Sequence, residues 1–199
     1  MHEKKTWSVP DLALMSYVDD QFYADLVQAF TDWQRVELEV SDLQIREQCR
    51  MLLEREARLL DQGRFKEWLE LYAERCVVWV PGAQEAGDPR REVTVFFDDR
   101  RRLEDRIYRL GTGKAWSQVP PSRTVRLVAN VEAFRTQERT VIMVRSNLLL
   151  AEFRAGETRQ LAAWCGHRLR RRQVGWEIET KQINLVDRDQ PLRNPSILL

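Results

Sequence analysis

Two imidazoles and three thiols, His2, His167, Cys49, Cys76 and Cys165, bound the metal and nucleophile chemistry this chain could do unaided. A Rieske cluster takes two Cys and two His, and a mononuclear non-haem iron takes two His and a carboxylate. With one histidine in the opening residues and the other in the last third of the chain, neither set can be assembled, and Cys₂His₂ zinc cannot either. The three cysteines are an odd number at wide spacing with no C-x-x-C pair, which argues against a disulfide framework. Cys76 and Cys165 read as small buried hydrophobes rather than nucleophiles. His167 could serve as a general base only with a carboxylate in reach and a cavity beside it. A lone strand histidine is more often structural. The chain is therefore expected to hold no catalytic, cofactor-binding or metal-binding residues, with His167 the one outside candidate.

Two further patterns dissolve on inspection. Gly111-Thr112-Gly113-Lys114 suggests a phosphate loop, but Tyr108 stands where the first glycine is required and Ala115 where Ser or Thr should meet Mg²⁺. It reads as a helix end and turn. Arg100-Arg101-Arg102 lies beside Asp98, Asp99 and Glu104, and Arg170-Arg171-Arg172 falls in a strand whose successive side chains alternate sides. Both read as charged outer faces. Lys and Arg total 32 against 31 Asp and Glu, a net charge of +1, so the general basic surface that binds nucleic acid is missing. No apolar run approaches the roughly 18 residues that span a bilayer. The first ten residues carry no secretion signal. A soluble, cytoplasmic protein is expected, with neither nucleic acid nor membrane as partner.

The elements that would position these residues begin with helices. Phe22, Leu26, Phe30 and Trp33 form one apolar stripe at a period near 3.6. A second helix starts at Ser41 or Asp42, buries Ile45, Cys49, Leu52, Leu53, Ala57 and Leu60, and ends at Gly63. A short third helix turns Phe65, Trp68, Leu69 and Tyr72 inward, and residues 76–80 form a strand stopped by Pro81-Gly82. Residues 84–91 read as a polar loop. A helix over about 99–110, capped by Asp99 and ended by Gly111, places Leu103, Ile107 and Leu110 on one face. Four strands follow, near 123–134, 140–153, 158–172 and 176–187, and their short connections require antiparallel pairing. The pattern is α+β: a curved antiparallel sheet wrapped on N-terminal helices, with residues 1–40 as a helical extension and 41–199 as one cone-shaped domain.

Two details qualify the sheet. Trp176 and Ile178 share one parity and Ile183 and Leu185 the other, which predicts a bulge near residues 180–182. Val141-Ile142-Met143-Val144 and Leu148-Leu149-Leu150-Ala151 are apolar at consecutive positions, so both faces of that strand look dry. The helices can cover one face; another subunit is expected on the second, with strand ends buried inside the monomer as the competing explanation. Most of the seven tryptophans fit core or interface positions.

Several segments in order resemble one family. Arg55-Glu56-Ala57-Arg58-Leu59-Leu60-Asp61, then Phe65, Trp68 and Val78-Trp79-Val80-Pro81, are similar to the opening of the small (β) subunits of bacterial aromatic-ring-hydroxylating dioxygenases. Phe97-Asp98-Asp99 with Leu103-Glu104-Asp105-Arg106-Ile107 fits as well. So does Ala115-Trp116, followed by Pro120-Pro121-Ser122-Arg123-Thr124 and Leu127-Val128-Ala129-Asn130-Val131. Arg145-Ser146-Asn147, Gly175-Trp176-Glu177-Ile178 and the ending Asn194-Pro195-Ser196-Ile197-Leu198-Leu199 complete the resemblance from about residue 47 onward. Arg126 departs from it, standing where many relatives have His. The region around Trp164-Cys165-Gly166-His167 lacks the usual Gly-Arg-Arg-x-Asp-like run, and the first 40 residues match nothing in the family.

The resemblance implies a cystatin-like cone, as in nuclear transport factor two, scytalone dehydratase and ketosteroid isomerase. It implies a structural, non-catalytic subunit that self-associates as a trimer and joins a dioxygenase α subunit in a hexamer of three α and three β. The α partner would hold the Rieske 2Fe-2S cluster and the mononuclear iron and would cis-dihydroxylate an arene or aromatic acid. Trp116, Arg123, Ile197, Leu198 and Leu199 are then expected at or near subunit contacts. The rival is a free-standing isomerase or hydro-lyase of the same fold, which needs His167 or a carboxylate of raised pKa facing a solvent-connected apolar pocket. A third reading is a ligand-binding or assembly module without a dioxygenase partner.

Overall fold

The computed structural model describes residues 18–83, 87–113, 118–192, 194 and 196–199. Helices α1 (Asp20–Ala29), α2 (Leu43–Asp61) and α3 (Phe65–Leu69) precede strands β1 (Tyr72–Pro81) and β2 (Thr94–Asp99). Helix α4 (Arg100–Gly111) leads into β3 (Arg123–Arg135), β4 (Val141–Arg154), β5 (Glu157–Arg171) and β6 (Trp176–Leu185). One six-stranded sheet runs in the order β2-β1-β6-β5-β4-β3. The last four strands form the expected antiparallel meander, while β1 joins β6 in parallel. Parallel pairing is possible there because the whole meander intervenes.

Local chemistry sets the element ends. Asp42 caps α2 by accepting from the amides of Gln44 (2.8 Å) and Ile45 (3.2 Å), and Gly63 follows the helix at φ +67°. Asp99 caps α4 through the Arg102 amide at 2.9 Å. The left-handed residue after α4 is Gly113 rather than Gly111, which is still helical. Ala155 and Gly156, both at positive φ, close the turn between β4 and β5. The bulge in β6 falls at Glu179, one residue before the expected stretch: Arg168 pairs with Thr180, but Leu169 pairs with Ile178.

Four sequence expectations change. The stripe from Phe22 to Trp33 is not one helix. The helix stops at Ala29, Asp32 turns at φ +50°, and Trp33 is buried from the segment beyond. Tyr72 opens β1 instead of closing α3, extending the strand four residues before Cys76. Strand β2, with Phe96 and Phe97, was not read from the sequence; it pairs with β1 across the intervening loop. The second cover of Val141-Ile142-Met143-Val144 is the chain's own: Met143 packs with Trp33 and Phe134, flanked by Ala29, Phe30, Leu38 and Trp164. The buried explanation won there because α1 and the segment after it lie across the sheet's outer face. Leu26 and Phe22 similarly cover Val77 and Trp79.

A close approach makes this docking possible. A Cβ on Gly166 would lie 2.7 Å from the Phe30 ring and 3.1 Å from that of Trp33, so only glycine lets these two aromatics settle on β5. On the inner face, α2 lies against β3 and β6, and the main core gathers Leu53, Leu60, Trp68, Val80, Leu150 and Ile183.

Candidate functional site

The inner face encloses the densest group of ionisable side chains. Glu56 lies on α2 at a spacing of Cys49, Leu53, Glu56 and Leu60, which points it inward along the apolar stripe. Lys181 on β6 sits opposite His167 on β5. The Lys181 ammonium donates to both Glu56 carboxylate oxygens, at 2.9 and 3.0 Å, and to the main-chain oxygen of Leu199 at 3.1 Å. Tyr72 Oη donates to Glu56 at 2.5 Å and Trp68 Nε1 at 3.3 Å. All these side chains are buried. Burial pushes the Glu56 carboxyl up, but Lys181, His167 and the Tyr72 hydroxyl outweigh it and hold the group below its ordinary range. Burial pulls His167 down to about 4 against the opposing pull of Glu56. Among the described residues its ring nitrogens have no close hydrogen-bond partner, and a weak interaction with the Val144 main chain only partly opposes the downward shift.

This is a closed ion pair whose side chains are all buried. His167 is 2% exposed. A groove of about 360 Å³ opens between α1 and the β3–β4 turn, lined by Asp25, Trp33, Glu138, Met143 and Arg168 among others. A second, of about 460 Å³, is lined by Arg159, Leu161, Leu185, Arg188 and Leu192 among others. Neither touches Glu56, His167 or Lys181. The isomerase reading needs a carboxylate of raised pKa facing solvent, whereas Glu56 is shifted down and sealed in.

The rim of the cone carries two more networks. Arg126 donates to Asp61 at the end of α2, to Thr124 Oγ1 at 3.0 Å and to the main-chain oxygen of Leu198. Glu152 accepts from Ser122, Arg159 and Asn194. Its burial would raise the carboxyl, but these bonds hold it below the usual range. Ile197, Leu198 and Leu199, expected at subunit contacts, lie in the core of this chain at 4, 7 and 2% exposure, which leaves little side-chain surface for a neighbour. Arg123 stands on the outer rim over the Phe153 ring, 4.6 Å from its centroid. Trp116 and Lys114 lie outside the described residues. The reading missed Glu56, Lys181 and Tyr72, although the spacing of Glu56 on the apolar side of α2 was a usable signal.

The outer face of β3 and β4 is different in kind. Leu127 pairs with Leu149, Val125 with Ala151 and Arg123 with Phe153, all on one side. Val125, Leu127, Leu149 and Phe153 are 69, 61, 41 and 37% exposed, an apolar strip outside the clusters that the described residues of α1 cover.

Comparisons with known proteins agree with this geometry. The family model described as "Ring hydroxylating beta subunit" matches residues 55–189. The 2-halobenzoate 1,2-dioxygenase small subunit of Burkholderia cepacia is 40% identical over 92 residues, covering 44% of this chain and 56% of that protein. The benzoate 1,2-dioxygenase subunit beta of Acinetobacter baylyi is 33% identical over 113 residues, covering 54% and 66%. The chain thus spans between about half and two thirds of the length of these curated relatives. A solved naphthalene 1,2-dioxygenase with indole bound in its active site has a chain that superposes with a TM-score of 0.71 at 20% identity, over 92% of this chain and 95% of that one. That likeness shows the fold, and the family match over residues 55–189 shows that the chain belongs to the family of ring-hydroxylating β subunits.

Proposed function

We propose that this chain is the structural β subunit of a multicomponent dioxygenase that cis-dihydroxylates an arene or aromatic acid. The reaction itself is carried out by an α subunit. The observation that carries the reading is the family match over residues 55–189, on a fold whose interior is filled and whose outer strip is bare. The implied Rieske cluster and mononuclear iron do not fit this chain's residues. Burial pushes the Cys49, Cys76 and Cys165 thiols up to about 12, so they do not supply thiolates, and the His167 ring is enclosed beside an ammonium. Both groups are therefore assigned to the α partner. Among the described residues no helix is long and apolar enough to cross a membrane, and we place the complex in the bacterial cytoplasm.

In this reading residues 41–199 form the cone and residues 1–40 an extension whose described part clasps the sheet. The strip of Val125, Leu127, Leu149 and Phe153, with Arg123 at its edge, serves assembly into the trimer of β subunits and the hexamer of three α and three β. The test is purification of the chain alone and together with an α subunit. Alone it should be a colourless, iron-free oligomer, and together the two should co-elute in equal numbers with the iron. Stoichiometric iron in the isolated chain would overturn the assignment. Retention of all activity by the α subunit without this chain would overturn the structural role.

A further inference from the structure

Two segments far apart in sequence build the groove between α1 and the β3–β4 turn. Asp25 to Leu38 supply one bank and Arg135 to Glu138 the other. The floor is apolar. Val141 and Met143 stand two apart on β4 and so point to one side of the sheet. The Trp33 ring lies in the same cluster as Met143, packed edge-on against Phe134 with 5.4 Å between centroids. Val141, Met143 and Trp33 are all buried, so the floor is fixed by the packing of the sheet. The volume, about 360 Å³, falls at the lower end of the range that takes small molecules.

The rim is charged, and most of its charges are already matched. Arg35 lies 3.7 Å from Asp32 and 3.6 Å from Glu37. Arg168 is held by Glu179 and, at 3.3 Å, by Glu138, which also reaches Arg170 at 3.3 Å. Two rim groups differ. Among the described residues Asp25, on the α1 bank, accepts only from the neutral Gln21 amide, at 2.9 Å, and Arg135, on the opposite bank, has no ion pair. Both are exposed. One carboxylate and one guanidinium without charged partners therefore stand on opposite banks of an apolar floor. A ligand of single charge would match one of them and a neutral ligand neither. A zwitterion matches both, and an apolar side chain on it covers Trp33 and Met143. We propose that this groove binds a free α-amino acid with an apolar side chain, its ammonium on Asp25 and its carboxylate on Arg135. One bank belongs to the N-terminal segment and the other to the sheet, so the bound amino acid also ties the two together.

Calorimetric titration of the intact chain with L-leucine is the test. One saturable site is expected, with a Kd on the order of 1 mM or tighter. Two analogues each remove one charge: L-leucinamide lacks the carboxylate and isocaproate lacks the ammonium. Exposed ion pairs are weak, so each analogue should bind about three- to fivefold less tightly. Asp25→Asn and Arg135→Gln change exposed side chains outside the core and should weaken L-leucine by about the same factor. Their Tm without ligand should stay within about 2 °C of the unaltered chain. In Asp25→Asn the preference for L-leucine over isocaproate should disappear, because the group that reads the ammonium is gone. No heat of binding up to about 10 mM, or equal affinity for L-leucine and both analogues, would overturn the proposal. So would unchanged affinity in both variants, since the amino acid would then sit elsewhere.

Discussion

The two faces of the sheet differ in which polar groups they bury and which apolar groups they leave bare. The inner face holds carboxylate, ammonium, imidazole and phenol groups, and every one of them is sealed from water by α2, α3 and the last residues. The outer face holds the Arg168, Arg170 and Glu179 ion pairs beside aliphatic and aromatic groups, some of them under Phe30 and Trp33 and others in the open. The buried pair of the inner side is shut, whereas the apolar strip of the outer side is available. Such a division suits the structural role proposed above.

Substitutions on each side sharpen the contrast. Lys181→Met removes one partner of the buried pair and leaves the Glu56 charge unmatched, so urea unfolding should show a loss of about 3–5 kcal/mol. A loss below about 1 kcal/mol would mean that water reaches the pair. Acid should act on the same face. The folded chain keeps His167 neutral down to about pH 4, whereas the unfolded imidazole takes its proton near 6.5, so stability falls as pH drops through that window. The fall is on the order of 3 kcal/mol, and it continues below pH 4.5 as Glu56, whose folded pKa is depressed, gains a proton. In His167→Gln the slope between pH 6.5 and 4 should flatten, with the lower limb retained.

The outer face should respond more weakly and in two different ways. Gly166→Ala pushes a methyl group into Phe30 and Trp33, and overpacking of this kind costs about 1–3 kcal/mol. Tryptophan fluorescence should report release of Trp33 while the inner cluster keeps its acid transition. Leu127→Ser together with Leu149→Ser touches only the bare strip and should change unfolding free energy by less than about 0.5 kcal/mol. Sedimentation should nevertheless show the assembly dissociating at higher protein concentration than for the unaltered chain. Intact association in that double variant would remove the strip from the assembly surface.

Long, strongly patterned elements were legible from residues alone. Asp42 and Gly63 bracket α2, Asp99 starts α4, and the four meander strands fall within a residue or two of their expected ends, because caps, turns and alternation are local. Strand β2 was not legible, since its polar surroundings and its pairing with β1 are settled across a loop. The family resemblance rested on ordered motifs and was carried by the same local features.

What the amino-acid order determined by itself was therefore composition and periodicity: too few imidazoles and thiols for iron, helices before a meander, and a strand dry on both sides. Which group covers each side was decided only by the tertiary structure. An apolar side chain records that it will be buried but not by what. Trp33 reaches Met143, 110 positions away, and Arg126 reaches the Leu198 oxygen, 72 positions away. The same holds for Glu56, whose partner Lys181 lies 125 positions away and whose charge is tolerable only once the fold brings them together.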